Sequence, residues 1–186
     1  MKANKAKRGT RSVPQRDVGF TVNGEYHQLN VGREVGEIAP SDTLAWTLRE
    51  TLGLTGTKIS CDSGACGCCT VIMDGNAVLS CKVLTIECQG KTITTIEGLK
   101  DPKTGALDPL QRAFIDHTAF QCGYCTPGMI MTAKALLNEN PHPTEGEVKE
   151  ALSGNFCRCI SHYQVIEAVM AATDEGKCAW ATITDT

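Results

Sequence analysis

Long apolar runs are missing from this 186-residue chain, aromatic residues make up only 5% of it, and histidine occurs four times. With no run near the roughly 20 apolar residues a bilayer-spanning helix needs, no transmembrane helix is expected. The opening stretch, MKANKAKRGTRSVPQR, leads into no apolar segment and holds no adjacent arginine pair, so it reads neither as a secretory signal nor as a twin-arginine one. Sparse aromatics exclude a large aromatic-filled core. His27, His117, His142 and His162 are scattered and fit surface or capping positions, so no hydrolytic nucleophile constellation emerges. Internal repeats are absent as well.

Cysteine is what the chain has in excess: eleven residues, an odd number. A secreted disulfide scaffold is normally shorter, with an even count and a signal peptide. The expected setting is therefore a reducing, cytoplasmic one, where clustered cysteines usually bind metal.

Charge is unevenly spread. Lys2, Lys5, Lys7, Arg8, Arg11 and Arg16 crowd residues 1–17 beside one acid, Asp17, leaving 12 basic against 20 acidic residues, a balance of −8, in the body. The arm reads as a solvated, disordered segment; its functional alternative is to lie on an acidic partner. The acidic body disfavours nucleic acid.

From Val18 the pattern is that of strands. Phe20 and Val22 alternate up to Asn23-Gly24, with Tyr26, Leu29 and Val31 beyond, a hairpin signal. Ser41 or Asp42 is placed to cap a helix with Leu44, Ala45, Leu48 and Leu52 on one face, ending near Gly53. VIMDGNAVLSC predicts a second hairpin at Asp74-Gly75, and KTITTIEGL a strand around Ile93 and Ile96. These elements suggest a small α+β unit over residues 18–98.

Past a linker at 99–109 the pattern becomes helical, over 110–175, with a tail at 176–186. Leu110, Ala113 and Phe114 share a face. Thr126-Pro127 reads as a cap followed by proline in the first turn, and Asn140-Pro141 and His142-Pro143 as that helix's stop. Thr144 and Glu147 form a capping box, and Val165, Ile166, Val169 and Met170 belong to a last helix. The expectation is a four-helix bundle.

The cysteines fall into two sets of four. Cys61, Cys66 and Cys69 have the C-x4-C-x2-C spacing of a plant-type [2Fe-2S] loop, with Cys81 the nearest fourth ligand. Gly64 and Gly67 allow the loop to curl, and Cys68, adjacent to Cys69, is left as the spare. Cys122 and Cys125 precede a helix whose N-terminal dipole favours thiolate, and Cys157 and Cys159 follow much later. Four thiolates in two pairs suit a second iron–sulfur cluster and also suit tetrahedral zinc. Cys88 reads as a small buried hydrophobe and Cys178 as a tail thiol.

On these residues the chain resembles the iron–sulfur subunits of the molybdenum hydroxylases, the xanthine dehydrogenase and aldehyde oxidase family. LRETLGLTGTKISCDSGACGCCTVIMDG, TITTIEGL, DPLQRAF, QCGYCTPGMIMTAKALL and NPHPTEGEVKEALSGNFCRC carry the likeness, which runs from about residue 18 to 172. It implies a β-grasp, plant-type ferredoxin-like domain followed by an all-α four-helix domain, each with one [2Fe-2S] cluster. It implies an outer cluster on Cys61, Cys66, Cys69 and Cys81 and an inner one on Cys122, Cys125, Cys157 and Cys159. Gln121 would then contact a molybdopterin on a large partner subunit, with FAD on a medium subunit.

Three departures stand out: Ser60 where the family usually has glycine, Cys68 where it has a small residue, and ISHY after Cys159 in place of the usual TGY. The expected function is one-electron transfer between molybdopterin and a flavin or external acceptor, with no catalytic residue on this chain. Rival readings are a stand-alone ferredoxin-like carrier, the electron-input subunit of an aromatic-thioester reductase of the same family, and a zinc-stabilised interaction module.

Overall fold

The computed structural model describes residues 16–32, 34 and 36–173. The expected basic arm up to residue 15, the tail at 176–186 and Cys178 lie outside the described residues.

The first half is a five-stranded mixed sheet wrapped around a short helix. Strands β1 (Arg16–Val22) and β2 (Glu25–Val31) pair antiparallel with Val22 opposite Glu25. The two-residue loop between them places Asn23 (φ 52°) and Gly24 (φ 85°) in the left-handed region, as a primed hairpin turn demands. The ladder starts at Arg16, two residues before the expected Val18, because β2 continues to Val31 and keeps β1 paired. β3 (Thr70–Met73) and β4 (Asn76–Leu79) form the second hairpin around Asp74-Gly75. β5 (Thr92–Thr94) lies between β1, which it meets in parallel, and β3, giving the order β2-β1-β5-β3-β4. Val18, Phe20, Val22, Val71 and Ile93 face Leu44 and Leu48 in one core, worth about 1.5–3 kcal/mol per fully buried side chain. Cys88 is a fully buried member of that core.

Helix α1 (Leu44–Trp46) starts one residue later than a cap at Asp42, and two later than a cap at Ser41, would place it. Thr43 is its cap, accepting from the Trp46 N–H, while the Asp42 carboxylate instead closes a turn by accepting from Ala39 N–H at 2.8 Å. The helix then widens over Thr47–Thr51 into π-type turns, with Leu52 N–H reaching Thr47 O at 3.0 Å. The Thr47 hydroxyl is buried and hydrogen-bonded to that of Thr85 at 2.7 Å.

Four helices make the second half: α2 (Pro109–Asp116), α3 (Thr126–Glu139), α4 (Glu145–Ala151) and α5 (His162–Thr173). Asp108 caps α2 by accepting from Leu110 N–H, and its carboxylate also takes Lys134 Nζ of α3 at 2.7 Å. Thr144 and Glu147 form the capping box of α4. The α3 start differs from expectation: Cys125 occupies the cap position, and Thr126 is the first helical residue with a buried, unpartnered hydroxyl. Its side chain therefore caps nothing. Leu110, Phe114, Met129, Val148, Leu152, Val165 and Val169 build the helical core. The halves meet where Met131 and Ala135 of α3 pack on Ile72 of β3, with Ile96 and Leu99 at the edge.

Candidate metal centres

The Cys61 to Cys69 loop connects α1 and its π-turns to β3, and Cys81 sits in a tight turn, Ser80–Lys82, directly after β4. The sheet thus delivers the fourth cysteine: β4 runs antiparallel to β3, and Ser80 N–H and Oγ both bond Cys69 O, at 3.3 and 2.6 Å. Cys69 and Cys81 are buried together with Ala45. Cys61 is exposed, and Ser63 and Ala65 N–H groups point at its sulfur from 3.4 and 3.3 Å. Those bonds, the Ser63 one foremost, hold its thiol down to about 6. Burial pushes Cys81 up to about 11, with Cys69 beside it adding to the effect.

In the second set, Cys122 and Cys159 are exposed with their sulfurs 3.6 Å apart. Cys125 and Cys157 form the deeper pair. Burial, then the Cys157 side chain, pushes Cys125 up to about 12. Burial works against ionising Cys157, but the Ile160 N–H, the Cys125 side chain and the Cys159 N–H outweigh it and lower its thiol. The two amides lie 3.2 and 3.3 Å from its sulfur.

The thiols lie in neighbouring pairs: Cys122 with Cys159 at 3.6 Å, Cys61 beside Cys66, Cys69 beside Cys81 and Cys125 beside Cys157, with Cys68 also against Cys66. Every described cysteine is free. Two thiolates on one tetrahedral metal at about 2.3 Å stand about 3.8 Å apart, close to the spacing of Cys122 and Cys159. A mononuclear zinc site needs all four sulfurs at one point, whereas a diiron cluster takes them two by two. Paired thiols with N–H groups aimed at sulfur are what a diiron cluster with two thiolates per iron requires, so the residues fit that group.

Cys68 lies between the two sets. It is buried in the helical core beside Cys125, and burial, followed by contact with Cys66, pushes its thiol up to about 12. Gln121 is exposed next to Cys122.

No local pattern signals the contact between the two loops. Gly67 (φ 73°) packs so closely on Gly154 and Asn155 that a Cβ would lie 2.7 Å from Gly154 O, and Gly128 of α3 abuts Gly67 O and Cys68 from the other side. Asn155 donates to Gly67 O at 3.1 Å, and Tyr124 OH to Ile59 O at 2.6 Å. Only a spatial neighbour explains glycine at 128 inside a helix.

Residues 27–95 match the family described as 2Fe-2S iron-sulfur cluster binding domain, and residues 95–170 the [2Fe-2S] binding domain. This chain is a member of the iron–sulfur small subunits of molybdenum hydroxylases. It is 48% identical over 145 residues to the nicotine 6-hydroxylase small subunit of Paenarthrobacter nicotinovorans, covering 78% of this chain and 86% of that one. The nicotinate dehydrogenase small FeS subunit of Eubacterium barkeri is 44% identical over 153 residues, 81% of this chain and 95% of the relative. Quinoline 2-oxidoreductase from Pseudomonas putida 86 has the same fold at a TM-score of 0.78 and 39% identity, covering 88% of this chain and 97% of the matched one. The aldehyde oxidoreductase of Desulfovibrio desulfuricans matches at a TM-score of 0.76 and 39% identity, covering 84% of this chain but 17% of that longer polypeptide. This molybdenum-hydroxylase small subunit is therefore an electron-transfer component of a heteromeric oxidoreductase, with a ferredoxin-like domain and a helical domain. No helix among its described residues is long and apolar enough to cross a membrane.

Proposed function

We propose that Cys61, Cys66, Cys69 and Cys81 hold the outer [2Fe-2S] cluster, Cys122, Cys125, Cys157 and Cys159 the inner one, and that Gln121 contacts a molybdopterin on the large partner subunit. The observation that carries the ligand assignment is the pairing of thiols, with Cys122 and Cys159 3.6 Å apart. Bound there, the clusters supply reversible one-electron storage. Everything else is done by the chain. The Ser63, Ala65, Cys159 and Ile160 amides donate to ligand sulfur, which stabilises its negative charge and tunes the potential. Burial of Cys69, Cys81 and Cys125 limits solvent at the inner side of each set.

Exposure sets direction in space. Gln121, Cys122 and Cys159 lie at the surface with Tyr124 and Phe120 nearby in sequence, and this rim is the face offered to the large subunit. The exposed Cys61 loop faces outward, toward a flavin-binding medium subunit in the cytoplasm. Substrate oxidation at molybdenum releases two electrons, and this chain conducts them singly while making and breaking no substrate bond. Residues 18–98, with Arg16 and Asp17 joined to them by the β1 ladder, form the outer unit, and the helices from Pro109 to Thr173 form the inner one.

Metal analysis of the anaerobically isolated complex tests the assignment: about four irons per small subunit, no zinc, and two distinct paramagnetic signals on reduction are expected. Zinc, or one diiron unit, overturns it.

A further inference from the structure

One polar atom at the edge of the inner thiol set is left over by the fold. Thr126 opens α3 directly after Cys125, and its Oγ1 is sealed from solvent and hydrogen-bonded to nothing among the described residues. A helical threonine ordinarily passes its hydroxyl back to a carbonyl three or four residues earlier. Thr132, further along the same helix, does so, donating to Gly128 O at 2.9 Å. Thr126 stands too early in the helix for that. Met129 N–H bonds Cys125 O at 3.1 Å to open α3, so the carbonyls of Cys122 and Gly123 belong to the preceding loop, which Gly123 turns aside through a left-handed φ of 80°.

The surroundings narrow the missing acceptor to one direction. On one side Thr126 borders an apolar groove of about 290 Å³, with Phe114, Phe120 and Ile130 among its walls. The other polar side chain there, Gln111, is already engaged: its Oε1 accepts from Asp108 N–H at 3.1 Å and its Nε2 donates to Ile96 O at 3.2 Å. On the other side lies the Cys122–Cys125 loop. Helical side chains tilt toward the N-terminus of their helix, so a residue in the first turn of α3 leans toward that loop. A hydroxyl buried there without an acceptor is destabilising until an acceptor arrives. The diiron group that the inner four thiols fit carries negative charge on its sulfurs, and it would supply one at that end of the helix.

We propose that the Thr126 hydroxyl donates a hydrogen bond to sulfur of the inner cluster and raises the potential of that site. The inference rests on the ligand assignment above. Reduction adds negative charge to the sulfurs, so a donor aimed at them stabilises the reduced state more than the oxidised one. The proton stays on Thr126 in both states, and no covalent bond is made or broken.

A redox titration of the intact complex, followed through its two paramagnetic signals, tests this. Thr126→Val keeps the branched shape and loses the hydroxyl, whereas Thr126→Ser keeps the hydroxyl. Iron content is read first: a parent complex without about four irons and two signals per small subunit refutes the ligand assignment, not the hydrogen bond. The inner signal is the one that Cys159→Ser alters or abolishes. In Thr126→Val its one-electron equilibrium should shift about tenfold toward the oxidised state, a lowering of ~59 mV, with the outer signal unmoved and Thr126→Ser close to the parent. A parent-like inner potential in Thr126→Val, or an equal shift of both signals, overturns the bond. If valine costs the inner iron, Thr126→Ala is compared with Thr126→Ser, and equal potentials overturn it. Loss of the inner iron from both apolar variants but not from serine supports a bond made by the hydroxyl, and its loss from serine as well overturns that.

Discussion

Gly128→Ala sets two known magnitudes against each other within one helix. In α3, alanine in place of glycine gains about 1 kcal/mol of helix propensity. The new methyl, however, would run into Gly67 O and come within 2.9 Å of Cys68 Cα, main-chain atoms that no rotamer change can move aside. Overpacking costs roughly 1–3 kcal/mol, and a collision with two main-chain atoms belongs to the upper part of that range, about 2–3, so the net effect is a loss of about 1–2 kcal/mol. For a chain of this size that lowers the apparent melting midpoint by about 2–8 °C. Gly146→Ala is the matched control, since its methyl in α4 meets only Thr144 Oγ1 at 3.8 Å and should raise the midpoint by about 2–4 °C. The assay is thermal bleaching of the visible iron–sulfur absorption alongside helix circular dichroism, on the full chain. Because the collision is with the Cys66–Cys69 loop, bleaching in Gly128→Ala should precede helix loss. If both alanine variants raise the midpoint, the close approach of α3 to the loop is not what restricts position 128 to glycine.

Cys68→Ala should retain about four irons per chain, and loss of half the iron would show that Cys68, not Cys69, is the ligand. Gln121→Ala should keep both clusters while slowing their reduction by substrate; unchanged turnover removes the pterin contact. The Glu147 carboxylate, held below its ordinary range by the Thr144 N–H and hydroxyl, contributes stability that is present above its unfolded value and lost as pH falls through the lowered folded one. Glu147→Gln should therefore flatten the acid side of the stability profile, measured as urea midpoint against pH, and an unaltered slope would contradict that.

Both hairpins were legible in the sequence because a two-residue turn is decided locally: Asn23-Gly24 and Asp74-Gly75 supply the left-handed conformations themselves, whatever packs nearby. The α4 capping box was legible for the same reason, Thr144 and Glu147 being each other's partners. Caps at Ser41 or Asp42 and at Thr126 were misread because the competing partners are set by the folded loops. Asp42 is drawn to Ala39, while Cys125 takes the cap position of α3. The π-turns after α1 likewise had no counterpart in the apolar periodicity, which records which side chains are buried and not how many residues close each turn.

Cysteine spacing and local turn chemistry by themselves determined that this chain has a sheet half and a helical half, each with a set of four closely spaced thiols among its cysteines. That information is short-range: cysteines separated by one, two or four residues, and turns that close on themselves. Which thiol faces which, and how the two loops are tied at Cys66 and Phe156, was decided only by the packing of α3 on β3, since residues 66 and 156 approach one another solely when the two halves are docked.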